Sequence, residues 1–164
     1  MASRIKYLLI DTDGVLTDGK QYIGCDGSKM FKAFHTRDIR AIREFVQMGV
    51  EVYVMSADEW PGTPIWVEKR GAEFLHTRDK VKTVEELGLD PLKCLAVGDD
   101  AWDVPLMRWA NWAACPADAD PVVEAKVPCV MLIHDVNGGD GVIARLLAEL
   151  KESGLPHNGV YSDG

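Results

Sequence analysis

The chain has 164 residues, 47% of them hydrophobic and 27% charged, a profile that suits one soluble domain with a single sizeable core. Its formal net charge of -8 leaves no global positive field for a nucleic-acid backbone or an anionic membrane surface, so a phosphorylated substrate would have to meet local cations. No apolar run is long enough for a signal-peptide core or a membrane span, and the chain reads as cytoplasmic.

In chain order, KYLLI (6–10) predicts a first strand, which runs into DTDGVLTDG (11–19). KQYIGCDGSKMFKAF (20–34) predicts a hairpin turning at Asp26-Gly27, either a flap or an oligomer contact. IRAIREFVQMG (39–49) has helical spacing and ends in glycine, and VEVYVM (50–55) is the next strand. Pro61, Gly62 and Pro64 delay the start of a second helix in TPIWVEKRG (63–71). EFLHT (73–77), CLAVG (94–98), WAACP (112–116) and CVMLI (129–133) then alternate as strands with helical KVKTVEELG (80–88), DVPLMRWA (103–110) and ADPVVEAKV (119–127). GGDG (138–141) precedes the last helix, and residues 151–164 read as a mobile tail behind one domain of residues 1–150.

Strict alternation of strand and helix predicts an α/β class with a central parallel sheet covered on both faces. Ligands of such sheets collect beyond the carboxyl ends of the strands, which here carry DTD (11–13), SAD (56–58) and GDD (98–100). Cys25, Cys94, Cys115 and Cys129 are dispersed, without a CxxC pair or a histidine at zinc-finger spacing, and are expected to be buried free thiols.

Asp11 and Asp13 sit two apart, so on a regular strand they would face the same way and repel. A hard divalent cation such as Mg2+ would offset that repulsion, with Asp99 and Asp103 supplying further oxygens from a neighbouring loop. Any one of these aspartates alone is a turn or helix cap; two clusters at corresponding strand ends make a site. Asp18 with Gly19 is expected to form the turn into the hairpin.

DTDGVLTDG (11–19), Ser56 ending VYVMS, Lys80 in TRDK and GDDAWDVPLM (98–107) together resemble the four motifs of the haloacid dehalogenase superfamily, whose phosphatases use an aspartate nucleophile. With FHTRD (34–38) and GGDG, the chain looks like the capless 3-deoxy-D-manno-octulosonate 8-phosphate phosphatase family over about residues 5–150. The resemblance implies a three-layer Rossmannoid fold with a hairpin flap and no cap domain, and Mg2+ as cofactor. It implies Asp11 as nucleophile, forming an aspartyl phosphate, and Asp13 as general acid and then base. Asp11, Asp99 and the Asp13 backbone carbonyl would hold the metal, with Asp100 and Asp103 orienting Lys80 or metal-bound water. Ser56 and Lys80 would take the charge on the phosphoryl oxygens. His35, Thr36, Arg37 and Asp38 would contact the substrate; read by themselves they are a helix start capped by Thr36 or Asp38. GGDG is either a turn or, by the resemblance, near a subunit contact.

Some positions depart from the resembled pattern. Ala57-Asp58 follows Ser56 where relatives have Gly and often Arg or Glu, and Ile65 and Trp66 stand about where a basic residue is expected, with Lys69 or Arg70 as substitutes. RDI (37–39) replaces RDG, and the arginine after GG-x-G is displaced to Arg145 or lost. Trp109 and Trp112 are expected in the core, whereas Trp60 or Trp102 could stack on a sugar or nucleobase. The leading expectation is a Mg2+-dependent phosphomonoesterase for a small phosphorylated metabolite, foremost an eight- or nine-carbon keto sugar acid phosphate. With no cap to close the site, a homotetramer using the 20–34 hairpin would enclose it. The alternatives are a nucleotide or nucleic-acid-end phosphatase of the same fold, and a non-catalytic module that keeps the fold.

Overall fold

The apolar run after Lys6 becomes β1 (Tyr7–Asp11) in the computed structural model, which describes residues 5–153. There follow the hairpin strands β2 (Tyr22–Ile23) and β3 (Lys29–Phe31), then α1 (Thr36–Gln47), β4 (Glu51–Ser56), α2 (Gly62–Glu68), β5 (Glu73–His76) and α3 (Lys80–Glu86). The remainder is β6 (Cys94–Val97), α4 (Val104–Trp109), β7 (Trp112–Pro116), α5 (Pro121–Lys126), β8 (Met131–Ile133) and α6 (Val142–Ser153).

Among the described residues, six of these strands pair in parallel in the order β5, β4, β1, β6, β7, β8. Alternation along β1 divides the core. Leu8 and Ile10 pack with Ile42 and Phe45 of α1 and with Ile143, Leu146 and Leu147 of α6. Tyr7 and Leu9 face the other way, onto Val84 of α3, Leu106 and Met107 of α4, and Val123 of α5. A strand buried on both faces has to be apolar throughout, which is why YLLI carries no polar residue until its end. The chain moves outward from β1 to β4 and β5, then returns to place β6 on the other side of β1. That reversal opens a crevice beyond the carboxyl ends of β1 and β6, the place where such sheets bind ligands. The expected three-layer α/β fold with a parallel sheet is therefore the observed one.

The hairpin turns at Gly27, whose φ of +81° suits a residue without Cβ, while Asp26 accepts hydrogen bonds from the backbone N–H and hydroxyl of Ser28. Tyr22 and Phe31 stack across it at 4.6 Å, and Ile23, Met30 and Phe31 stay exposed. Asp18 accepts from the Lys20 N–H and the Tyr22 hydroxyl, and Gly19 has a φ of +71°, which makes the turn into the hairpin.

Other boundaries moved for identifiable reasons. Helix α1 begins at Thr36 and is capped by neither Thr36 nor Asp38: the cap is His35, whose Nδ1 accepts from the Arg37 N–H at 3.1 Å. Strand β8 begins only at Met131, because Pro128 lacks an N–H and Cys129 takes a left-handed φ of +57°. Cys94 and Cys115 are buried free thiols, but Cys25 on the hairpin and Cys129 are exposed, contrary to expectation. Helix α6 runs to Ser153 because Leu150 is buried in the core, so the start of the expected tail is helical; residues 154–164 lie outside the described residues. No helix among the described residues is long and apolar enough to cross a membrane.

Asp38 was expected at the substrate and is instead fully buried between α1 and α6. Its Oδ1 accepts from the Ala144 N–H at 2.9 Å, which satisfies the amino end of α6 from a different helix. Burial pushes its carboxyl up to about 6, partly opposed by the Ala144 and Ile143 N–H groups. A carboxyl raised on folding stabilises most below its unfolded value near 3.9, and that contribution is lost as pH climbs through about 6. Replacing Asp38 by Asn removes the titration. Urea unfolding from pH 4 to pH 7 should show wild type losing on the order of 2 kcal/mol relative to Asp38→Asn, whereas parallel profiles would refute the buried, titrating carboxyl.

Candidate active site

The crevice holds a cleft of about 360 Å³, lined from β1 and its loop by Asp11 and Asp13 and from the end of β4 by Ser56, Ala57 and Asp58. The β5–α3 loop adds Thr77, Arg78 and Lys80, and the loop after β6 adds Asp100 and Trp102. Lys80 is the first residue of α3, and its ammonium donates to both Asp11 Oδ1 and Asp103 Oδ1. Burial works against the charge on Lys80, but the two carboxylates hold its pKa above the usual lysine value.

Asp103 is 2% exposed, and both of its oxygens are engaged, since Oδ2 accepts from the N–H groups of Asp99 at 3.0 Å and Asp100 at 3.4 Å. The loop can fold this tightly because residue 98 is glycine: a Cβ there would lie 2.3 Å from the Cβ of Asp103. Gly14 has a φ of +89°, and a Cβ on it would sit 1.9 Å from Asp99 Oδ2, so only glycine lets the two acidic loops meet.

GGDG resolves into a buttress for the first loop. A Cβ on Gly138 would approach the Gly14 carbonyl oxygen to 2.1 Å, and the Gly139 N–H donates to the Val15 carbonyl at 3.0 Å. Backbone lies directly on backbone here, which no side chain permits.

Carboxylate oxygens of Asp11, Asp99 and Asp103 lie within 4.8 Å of one another. Burial, then the neighbouring charges of Asp11 and Asp103, push the Asp99 carboxyl up to about 8. Burial and the charge of Asp103 also raise Asp11, against the pull of Lys80. Among the described residues, Asp99 Oδ1 is buried without a hydrogen-bond partner. A buried, orphaned carboxylate oxygen facing a second carboxylate suits a hard divalent cation, so these residues fit a metal. Asp103, with both oxygens occupied, instead orients Lys80.

The Asp13 carboxylate also meets a cation from the protein itself, a partner not expected from the sequence. Strand β1 ends at Asp11, so Asp13 no longer follows the strand, and its carboxylate lies outside the three-carboxylate group. Lys32 donates to both Asp13 oxygens at 2.8 Å, and Thr17 Oγ1 donates at 3.1 Å. The Lys32 side chain is 3% exposed, lies 3.5 Å from Asp58 and shares that carboxylate with Lys29. Sequence reasoning missed Lys29, Lys32 and Arg78. The signal was present as two lysines three apart in the hairpin, but which loop they would face depended on how the hairpin folded back.

The remaining expected residues fall in two places. Ser56 lines the cleft, where its hydroxyl accepts from the Asp58 N–H at 3.0 Å, and Asp100 lines it with its carboxylate accepting from the Trp102 N–H at 2.8 Å. His35, Thr36, Arg37 and Asp38 do not line it: His35 caps α1, Thr36 and Arg37 are exposed on its first turn, and Asp38 is spent on α6. The local cations come from the hairpin and the β5–α3 loop. Trp66 stacks on Phe34 at 4.2 Å beneath the Arg70 guanidinium, and Trp109 and Trp112 pack on the core. Trp60 folds over Gly62, which leaves Trp102, 83% exposed, as the indole lining the cleft.

Substituting Gly138 by Ala should force the two loops apart. Chemical denaturation should register a loss of about 2 kcal/mol, and a variant as stable as wild type would contradict the close approach.

No family model matches the chain. It is 29% identical over 148 residues to the 3-deoxy-D-manno-octulosonate 8-phosphate phosphatase KdsC of Salmonella typhi, covering 87% of this chain and 77% of that protein. Among solved structures, a probable YrbI-family phosphatase from Pseudomonas syringae pv. phaseolica 1448a is 30% identical with a TM-score of 0.79, covering 93% of this chain and 87% of that one. The cobalt-bound deoxy-D-mannose-octulosonate 8-phosphate phosphatase YrbI from Haemophilus influenzae is 26% identical with a TM-score of 0.80, covering 92% and 90%.

Proposed function

We propose, from the premise that the chain belongs to the haloacid dehalogenase superfamily and its capless octulosonate 8-phosphate phosphatase-like family, that this phosphatase acts on a keto sugar acid phosphate with Mg2+ as cofactor. Substrates of that class include 3-deoxy-D-manno-octulosonate 8-phosphate and a nonulosonate 9-phosphate. The observation that carries the reading is the Asp11 carboxylate at the cleft floor, held by Lys80 and facing the orphaned Asp99 oxygen.

Asp11 attacks phosphorus, the bond to the leaving oxygen breaks, and Asp13 gives that oxygen its proton. The resulting aspartyl phosphate is hydrolysed when Asp13, now ionised, takes a proton from water, the water oxygen forms the new bond to phosphorus and the bond from Asp11 to phosphorus breaks, freeing phosphate and the Asp11 carboxylate. Asp11, Asp99 and the Asp13 backbone carbonyl would hold Mg2+, which supplies neutralisation of the phosphoryl oxygens when bound. Lys80, kept in place by Asp103, and Ser56 stabilise the same oxygens as charge builds. Before it can protonate the leaving group Asp13 must exchange its contact with Lys32, and Asp58 offers that ammonium another partner at 3.5 Å.

The reading extends to a cytoplasmic homotetramer in which exposed Ile23, Met30 and Phe31 of the hairpins supply the apolar contact and close a site that has no cap. Sedimentation should give a tetramer for wild type and smaller species for Ile23→Ser/Met30→Ser/Phe31→Ser; a monomeric wild type would end this part of the reading.

Phosphate release with Mg2+ should be faster from the keto sugar acid phosphate than from hexose or nucleoside monophosphates, and Asp11→Asn should lower it by about a thousandfold or more. Full activity in Asp11→Asn would refute the nucleophile. Preference for nucleotides would transfer the substrate assignment to a base stacked on Trp102. Calorimetry should find Mg2+ binding weakened about 100-fold in Asp99→Ala, and unchanged affinity would remove Asp99 from the metal site.

A further inference from the structure

We infer that Arg78 selects substrates whose leaving group carries a carboxylate, by pairing with that carboxylate at the mouth of the cleft. The inference rests on the phosphatase reading and adds the part of the substrate beyond phosphorus.

The other cations about the cleft are already committed. Lys80 is held between Asp11 and Asp103, Lys32 holds Asp13, and Lys29 is paired with Asp58. Arg78 lines the same cleft and is exposed, and among the described residues no carboxylate lies within ion-pair distance of it. The nearby Asp79 carboxylate is directed elsewhere, accepting from the Lys82 N–H at 3.1 Å as the cap of α3.

The backbone that carries Arg78 is anchored on both sides. The Thr77 N–H donates to the Ser56 carbonyl at 2.9 Å, tying the loop to the end of β4, and the Asp79 N–H donates to Thr77 Oγ1 at 3.0 Å. The Thr83 hydroxyl adds a third tie, donating to Thr77 Oγ1 at 2.8 Å. Arg78 is therefore presented by a fixed turn, beside Ser56 and two residues before the lysine that reaches Asp11.

Charge then decides what it can take. Besides Arg78, the cleft is lined by Asp100, by Asp58, whose charge is taken up by Lys29 and Lys32, and by the indole of Trp102, so Arg78 is the cation of the lining left open to an anionic leaving group. A neutral hydroxyl would find adequate partners in water. A carboxylate gains two parallel charge-assisted hydrogen bonds from a guanidinium. The basic residues near α2 supply no substitute, because Lys69 and Arg70 do not line the cleft and Arg70 is spent on the ring and carbonyl of Trp66.

The test compares kcat/KM for 3-deoxy-D-manno-octulosonate 8-phosphate with that for glucose 6-phosphate, whose leaving group is uncharged, in wild type, Arg78→Met and Arg78→Lys. The ratio should fall about tenfold or more in Arg78→Met, chiefly through KM for the acid substrate, and Arg78→Lys should recover part of it. An unchanged ratio in Arg78→Met overturns the assignment. If wild type cleaves glucose 6-phosphate or nucleoside monophosphates as well as the acid, the carboxylate assignment falls while the phosphatase reading stands. If wild type with Mg2+ releases phosphate from none of them, the phosphatase reading falls and the role of Arg78 with it.

Discussion

The close approach of Asp11, Asp99 and Asp103 is the constraint on which the site depends. Three carboxylates within 4.8 Å repel strongly once removed from bulk water, and Lys80 offsets part of that repulsion by bridging two of them. The third is left with a buried oxygen that no group among the described residues satisfies. Such an arrangement is costly in a fold and useful in a phosphatase, where a cation and a dianionic ester both have to be drawn to one point.

Holding those charges together requires backbone that cannot relax. Gly14 and Gly138 each occupy a point where a Cβ would overlap a neighbouring loop, and Gly98 one where it would overlap Asp103 of its own loop, so the acidic loops and the GGDG turn form one interlocked surface. Asp38 extends that lock to the helices by tying α6, which follows GGDG, to α1. A residue that looked like a substrate ligand thus contributes through the framework that carries the site.

The hairpin reaches the site through two of its lysines. Lys29 and Lys32 engage Asp58 and Asp13 of the cleft wall, while Ile23, Met30 and Phe31 stay exposed. The Asp13 loop and the exposed apolar face of the hairpin are therefore connected through a few residues, and the pairing of Lys32 with Asp13 gives that connection an electrostatic form.

The strand and helix alternation, the strand-end aspartates and the order of the motifs were legible in the sequence because each depends on local periodicity or on spacing along the chain. Their register made the parallel sheet, its crevice and the membership of Asp11, Ser56, Lys80 and Asp100 in one cleft readable in advance. Three things were decided only by tertiary structure: that Lys32 pairs with Asp13, that Asp38 turns inward to α6, and that Arg78 rather than Arg37 faces the cleft. The reason is physical. Composition and spacing specify which charges a loop carries, but the partner of a charge is set by which distant loop packs against it, and that follows from the close contact of glycine-bearing backbones far apart in the chain.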